Sequence, residues 1–230
     1  MKKANLVLLP GDGIGPEVVA EARKVLERVA SKFGHALSFT THLIGGAAID
    51  ATGGALPQAT VDACQASDAV LLGAVGGPKW DDPRAKVRPE QGLLAIRQQL
   101  GLFANLRPVR VHPALAASSP IKPDRVEGVD ILFVRELTGG LYFGKPRLRE
   151  KVGDKVRAVD TLEYTDFEVR RVVRLALGLA KNRRKLLTSV DKANVLESWR
   201  PWRGGAGGVA EGEPGGRREP PPVAKCAVRP

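Results

Sequence analysis

The chain has 230 residues, 43% hydrophobic, 27% charged and 5% aromatic, which is length enough for one large domain or two small ones around a substantial core. Its two cysteines, Cys64 and Cys226, argue against a disulfide framework and suit a reducing, cytoplasmic compartment. No apolar run reaches the roughly 18–20 residues of a membrane-spanning helix, and the apolar stretch behind Met1-Lys2-Lys3 stops at Pro10 with no cleavage site of the signal-peptide kind.

Residues 4–10 form a short Leu- and Val-containing run and are read as a buried strand. A glycine turn follows, then Pro16 and Glu17, residue types that suit the first turn of a helix. Val18, Ala22, Val25, Leu26 and Val29 recur at helical spacing, with Gly34 placed to end the helix. Residues 37–43 read as a second strand, 56–65 as a helix and 68–75 as a third, almost wholly apolar strand. Strands apolar on both faces that alternate with helices predict an α/β fold with a mostly parallel sheet covered on both sides.

The second half is expected to continue that theme. Residues 130–134 are strand-like, and Thr165-Asp166-Phe167-Glu168 has the form of a capping box. Val169, Val172, Val173, Ala176, Leu179 and Ala180 then lay a stripe along a helix. That helix ends in Lys181, Arg183, Arg184 and Lys185, where cations meet the negative end of the macrodipole and read as a solvated helix terminus. Residues 186–190 read as the next strand. From residue 198 the composition changes: seven glycines and six prolines fall in 33 residues without Leu, Ile, Phe or Met, which predicts an irregular or disordered tail. The formal net charge of +11 points to acidic partners, polynucleotides or small polyanions, without choosing between them.

Gly11-Asp12-Gly13-Ile14-Gly15 sits between a strand and a helix, where a dinucleotide fingerprint would sit. The third glycine is one place early, and no carboxylate closes the second strand to hold a ribose; no Gly-Lys-Ser/Thr follows either. Alone, this loop supports a tight turn as well as it supports a ligand. His35, His42 and His112 lack metal-site spacing, and Cys64 reads as core. The aromatics are too few and scattered for a base-stacking platform.

Several longer motifs rise above this background. They are Pro10-Gly11-Asp12-Gly13-Ile14-Gly15-Pro16-Glu17, Gly76-Gly77-Pro78-Lys79-Trp80, Leu102-Phe103-Ala104-Asn105-Leu106-Arg107-Pro108, Val134-Arg135-Glu136-Leu137-Thr138-Gly139-Gly140-Leu141-Tyr142-Phe143-Gly144 and Ser189-Val190-Asp191-Lys192-Ala193-Asn194-Val195. In order and spacing they closely resemble the isopropylmalate branch of the metal-dependent β-decarboxylating 2-hydroxyacid dehydrogenases, the family that also holds the isocitrate dehydrogenases. The likeness runs from about residue 5 to residue 197.

The resemblance implies a two-domain α/β fold distinct from the Rossmann fold, acting in leucine biosynthesis. The reaction would be oxidation of a 2-hydroxy diacid by hydride transfer to NAD, with Mg²⁺ or Mn²⁺, followed by loss of CO2. Arg97, Arg107 and Arg135 match substrate-binding arginines, and Arg is the planar cation suited to gripping carboxylates bidentately. Lys192 matches the catalytic base and Tyr142 the catalytic acid, which the resemblance implies come from different subunits of a homodimer, with Asp191 and Asn194 orienting the base. Leu93 and Leu94, a turn ahead of Arg97, would accept an isopropyl group and reject a third carboxylate, with Val195 resembling the residue that the partner subunit adds to the same pocket. Gly77, Pro78, Lys79, Trp80 and Glu90 fall in a loop that the family associates with NAD. A homodimer is implied, with no nucleic-acid or membrane partner.

The expected organisation is a cofactor-side domain over residues 1–106, incomplete by the family's pattern, a substrate and dimerisation domain over 107–197, and a non-homologous tail over 198–230. Metal-binding aspartates belong to the region past residue 197, so no metal ligand is assigned. The Gly/Pro/Arg-rich tail reads as a truncated or frameshifted product with weak or no turnover. The alternatives are a sister enzyme acting on isocitrate, tartrate or homoisocitrate, or a non-catalytic protein with a basic tail.

Overall fold

A computed structural model describes residues 2–82, 84–191 and 193–204, together with the backbone of 217–218. The chain divides into two units, residues 1–101 and 102–230.

Unit 1 is built on β1 (Lys3–Gly11), whose Val7, Leu8 and Leu9 are buried. α1 (Gly15–Phe33) carries Pro16 in its first turn and ends on Gly34 at φ 66°, whose N–H returns to Ala30 O. β2 (Ala36–Thr41) and β3 (Ala69–Ala74) flank β1 in the order β2-β1-β3, both parallel to it, as the α/β reading requires. Between them lie α2 (Gly46–Thr52), which the sequence reading passed over, and α3 (Gln58–Gln65); α4 (Pro89–Gln99) closes the unit. Val7, Leu9, Ile44, Val61, Cys64 and Ile96 form its core.

The stripe on α1 is displaced from the expected one. Val19 and Ala30 are buried with Ala22 and Leu26 half-buried between them, whereas Val18, Val25 and Val29 are exposed. An apolar stripe on a helix is wider than the strip that a sheet covers, so periodicity fixes the face only to within one position.

Unit 2 departs from the parallel theme. β4 (Ala104–Arg110) pairs antiparallel with β5 (Asp130–Glu136) through Asn105↔Arg135 and Arg107↔Phe133. The connection between them carries only a six-residue 3-10 segment, Pro113–Ser118, and the one-turn α5 (Pro123–Val126). A parallel return would need a full crossover helix, and no stretch here is long or periodic enough to form one. β6 (Leu148–Val152) and β7 (Lys155–Val159) form an antiparallel hairpin with Gly153 at φ 61° in the turn.

α6 (Asp166–Lys181) starts as the capping box predicts: Glu168 accepts from the backbone N–H of Thr165 at 2.8 Å. Its buried face is Val169, Val172, Val173, Ala176 and Leu177; Leu179 and Ala180, expected in the stripe, are only half-buried. Phe103, Ala104, Val134, Leu187 and Trp202 pack on this face. β8 (Leu186–Leu187) is shorter than the expected strand and pairs in parallel with β9 (Arg217–Arg218).

The irregular segment expected from residue 198 meets ordered chain as far as residue 204. A 3-10 turn at Glu197–Trp199 leads into a helical turn over 200–204. Tyr164, Trp199 and Trp202 pack at centroid separations of 5.4–5.6 Å, edge to face in the two pairs that include Trp202, and Trp202 Nε1 donates to Ser189 Oγ at 3.2 Å. Aromatic burial supplies here what the Gly/Pro-rich composition hid. The rest of that tail, apart from 217–218, lies outside the described residues.

Candidate functional site

The β4–β5 pair presents charge on one face. Side chains alternate along a strand, so Asn105 and Arg107 on β4 share a face with Phe133 and Arg135 on β5. Arg107 Nε donates to Asn105 Oδ1 at 2.7 Å, and Asn105 stands directly opposite Arg135. The guanidinium of Arg135 lies 5.6 Å over the ring of Tyr142, which follows in a 3-10 turn at Gly140–Tyr142. Arg107, Arg135 and Tyr142 are all exposed, and neither arginine has a carboxylate at ion-pair distance among the described residues. Two cations and a phenol thus share an open surface, an arrangement suited to an anion with more than one carboxylate.

Lys192 lies outside the described residues. Its neighbour Asp191 is buried and accepts from Ala193 N at 2.9 Å and from Arg203 through Nε at 3.2 Å and Nη2 at 2.7 Å. Burial works to raise the Asp191 carboxyl, but the Arg203 hydrogen bonds, the Ala193 N–H and the Arg203 charge together hold it below the ordinary range. Asn194 and Val195 are exposed, Val195 at 66%.

In unit 1, Leu93, Leu94 and Arg97 all lie on α4. Leu93 packs on the core beside Ile96 and Leu100, so much of its apolar surface serves the fold. Glu90, Leu94 and Arg97 follow one another at helical spacings of four and three residues, on one side of α4. The loop at Gly77 to Trp80 forms a 3-10 turn at Pro78–Trp80 whose side chains are engaged within the unit. Lys79 Nζ meets Asp50 at 2.6 Å, Trp80 Nε1 donates to the same carboxylate at 3.2 Å, and the Trp80 ring lies where a Cβ on Gly46 would be. The Lys79 and Trp80 hydrogen bonds hold the Asp50 carboxyl below its ordinary range. Gly76, at φ 96°, has Glu90 Oε1 at 3.0 Å from the site of a Cβ. With Lys79 and Trp80 engaged by Asp50 and the Gly76 N–H given to Asp12, what this loop leaves for a ligand is backbone at Gly77 and the Glu90 carboxylate. Among the described residues no three His, Cys, Asp or Glu side chains converge as a metal site would require.

Sequence reasoning passed over two buried acids. Asp12 is 3% exposed and accepts from the N–H groups of Gly46 and Ala47 at 2.7 Å and of Gly76 at 2.8 Å. Asp12, inside the glycine-rich turn, therefore ties that turn to the start of α2 and to Gly76. Gly11 and Gly15 belong to the same packing: a Cβ would stand 1.8 Å from Ala74 O and 2.0 Å from Pro10 O. Glu136, 6% exposed, plays a similar part at the end of β5. No local pattern marks either acid as buried: Asp12 finds its backbone donors 34 to 64 residues along the chain, while Glu136 accepts from Thr138 and Gly139 close by and also from the distant Arg171.

The sequence profile of isocitrate/isopropylmalate dehydrogenases matches residues 5–216. Proteins named 3-isopropylmalate dehydrogenase from Anaeromyxobacter dehalogenans and Rhodopirellula baltica are 66% and 58% identical, over 211 and 200 residues. These matches cover 92% and 87% of this chain but 60% and 55% of the relatives, so the chain spans somewhat over half their length. Among solved structures, isocitrate dehydrogenase from Methylococcus capsulatus superposes with a TM-score of 0.80 at 29% identity, covering 99% of this chain and 62% of that one. A beta-decarboxylating dehydrogenase from Thermococcus kodakarensis gives 0.68 at 31% identity, covering 97% and 59%.

Proposed function

Because this chain belongs to the isocitrate/isopropylmalate dehydrogenase family, we propose that it carries the substrate-gripping part of an NAD-dependent 3-isopropylmalate dehydrogenase. The observation that carries the proposal is the shared face of Arg107, Arg135 and Tyr142. Arg107 and Arg135 are diagonal across the antiparallel pair, a separation of about 7–8 Å at the backbone. Two guanidinium groups at that interval can close on the two ends of a short diacid, with Asn105 fixing the direction of Arg107. The motifs that hold them, and not any geometry between the units, assign Arg97 to the substrate and Leu94 and Val195 to its branched alkyl group, with Leu93 in a lesser role.

Lys192 takes the proton of the 2-hydroxyl as C2 is oxidised, and Tyr142 returns a proton to the carbon that has lost CO2. When bound, NAD would supply the acceptor for the hydride that leaves C2. Gly77 and Glu90 are its proposed contacts, with Pro78, Lys79 and Trp80 shaping the loop. The Mg²⁺ or Mn²⁺ of the family finds no ligand set among the described residues. Residues 1–106 are proposed as the cofactor side and 107–197 as the substrate and dimerisation side of a cytoplasmic homodimer.

Calorimetric titration of the chain with 3-isopropylmalate, isocitrate and tartrate tests the reading. The isopropyl diacid is expected to bind tighter than isocitrate by at least about tenfold, since a third carboxylate against Leu94 and Val195 would lie unpaired. Equal binding of all three, or no binding, would overturn it. Turnover with NAD and Mn²⁺ is expected to fall far below that of a full-length relative.

A further inference from the structure

β5 ends on a carboxylate that every neighbour addresses as an acceptor. The Glu136 side chain is 1% exposed. It accepts from Thr138 N at 3.0 and 3.1 Å, Thr138 Oγ1 at 2.7 Å, Gly139 N at 2.8 Å and Arg171 Nη2 at 3.4 Å. Arg171 is itself fixed, with its guanidinium 4.9 Å from the Phe103 ring centroid and 5.0 Å from that of Phe167, and it also bonds Thr138 Oγ1. The turn from Thr138 to Tyr142 is anchored to this carboxylate at one end.

At its middle the turn rests on Tyr164. A Cβ on Gly139 would come within 2.8 Å of the Tyr164 ring and one on Gly140 within 2.6 Å of its hydroxyl, while Gly140 N donates to Glu163 O at 2.7 Å. Tyr142 leaves this anchored turn and meets Arg135, the residue immediately before Glu136 on the strand. One buried acid therefore links the two halves of the cation–phenol pair: it continues the strand that carries Arg135 and ties down the turn that carries Tyr142.

We propose that Glu136 is a positioning residue, which through Thr138, Gly139 and Arg171 holds the Tyr142 phenol against the Arg135 guanidinium. This rests on the reading of Tyr142 and Arg135 as substrate-facing. All partners of Glu136 are donors, so a glutamine here must aim its amide N–H2 at another donor whichever way it is turned. Glu136→Gln is nearly isosteric and should release the turn without leaving a cavity.

The test uses the whole chain labelled with ¹³C-tyrosine. It has two tyrosines, and Tyr142→Phe assigns the signals. Glu136→Gln and Thr138→Val are expected to move the Tyr142 ring resonances and to weaken 3-isopropylmalate binding by at least about tenfold. Thr138→Ser, which keeps the hydroxyl, should restore both. Methyl resonances of Val172 and Leu177 in the core should stay in place. A Tyr142 signal unchanged in folded Glu136→Gln or Thr138→Val overturns the proposal, as does parallel movement of the core methyls, which would make Glu136 a core residue only. If Glu136→Gln does not fold, Thr138→Val decides. If the unmodified chain does not bind 3-isopropylmalate, the functional reading fails and the tyrosine resonances alone decide the positioning role.

Discussion

The two units dispose of their charged side chains in opposite ways. In unit 1 the conspicuous charges near the glycine-rich turns are spent internally. Asp12 is closed by three backbone N–H groups, and Lys79 is tied to Asp50. In unit 2 Arg107 and Arg135 stand exposed with a neutral amide and a phenol beside them, while the acid next in line, Glu136, is buried and fully engaged. A charge whose partners are complete holds the fold together, whereas one left partly unpaired on a rigid strand is available to a ligand. By that measure the glycine loop is scaffold and the β4–β5 face is the place where binding should be felt.

The largest effect expected from this contrast is on stability. Asp12→Ala would orphan three backbone donors, one at a fully buried glycine, and should cost upward of about 3 kcal/mol, read from the urea midpoint of unit 1. Trp202→Ala should cost unit 2 about 2–3 kcal/mol, less than a fully buried Trp because the indole is half-exposed. An unchanged unfolding midpoint would mean that residues 198–204 are not held on α6. Arg135→Ala should do the reverse of Asp12→Ala, weakening diacid binding by at least about tenfold while the melting temperature barely moves. If stability fell and affinity did not, the contrast between the units would fail.

Acid should expose a smaller difference. The folded-state value of Asp191 is lowered, so its contribution is present above the ordinary aspartate value of 3.8 and is lost as pH falls through the lower folded value. Arg203→Met removes the main cause of that lowering and should shift acid unfolding of unit 2 to higher pH, followed by near-UV circular dichroism. The smallest effect belongs to Lys79→Ala: an exposed ion pair, it should leave the unfolding midpoint unmoved.

Much of the secondary structure was legible because its determinants are local. Pro16 and Gly34 bracket α1, and the Thr165–Glu168 capping box starts α6. Continuous apolar strands gave the parallel sheet of unit 1. The antiparallel β4–β5 pair was not legible, since strand direction depends on where the connection returns and not on strand composition. The ordered turn at 198–204 was masked by its glycines and prolines, because two tryptophans outweigh composition only when Tyr164 and α6 are there to receive them.

The candidate site divides in the same manner. Arg107, Arg135 and Tyr142 could be named from motifs as residues of the right chemistry, but that they share one face follows from a register set between strands more than twenty residues apart. Sequence by itself determined the family, the bounds of α1, the start of α6 and the residue types available for chemistry, all properties of short stretches of chain. Only the tertiary structure decided which charges were already consumed, because a carboxylate such as Asp12 acquires its partners from segments that meet only when the backbone has folded.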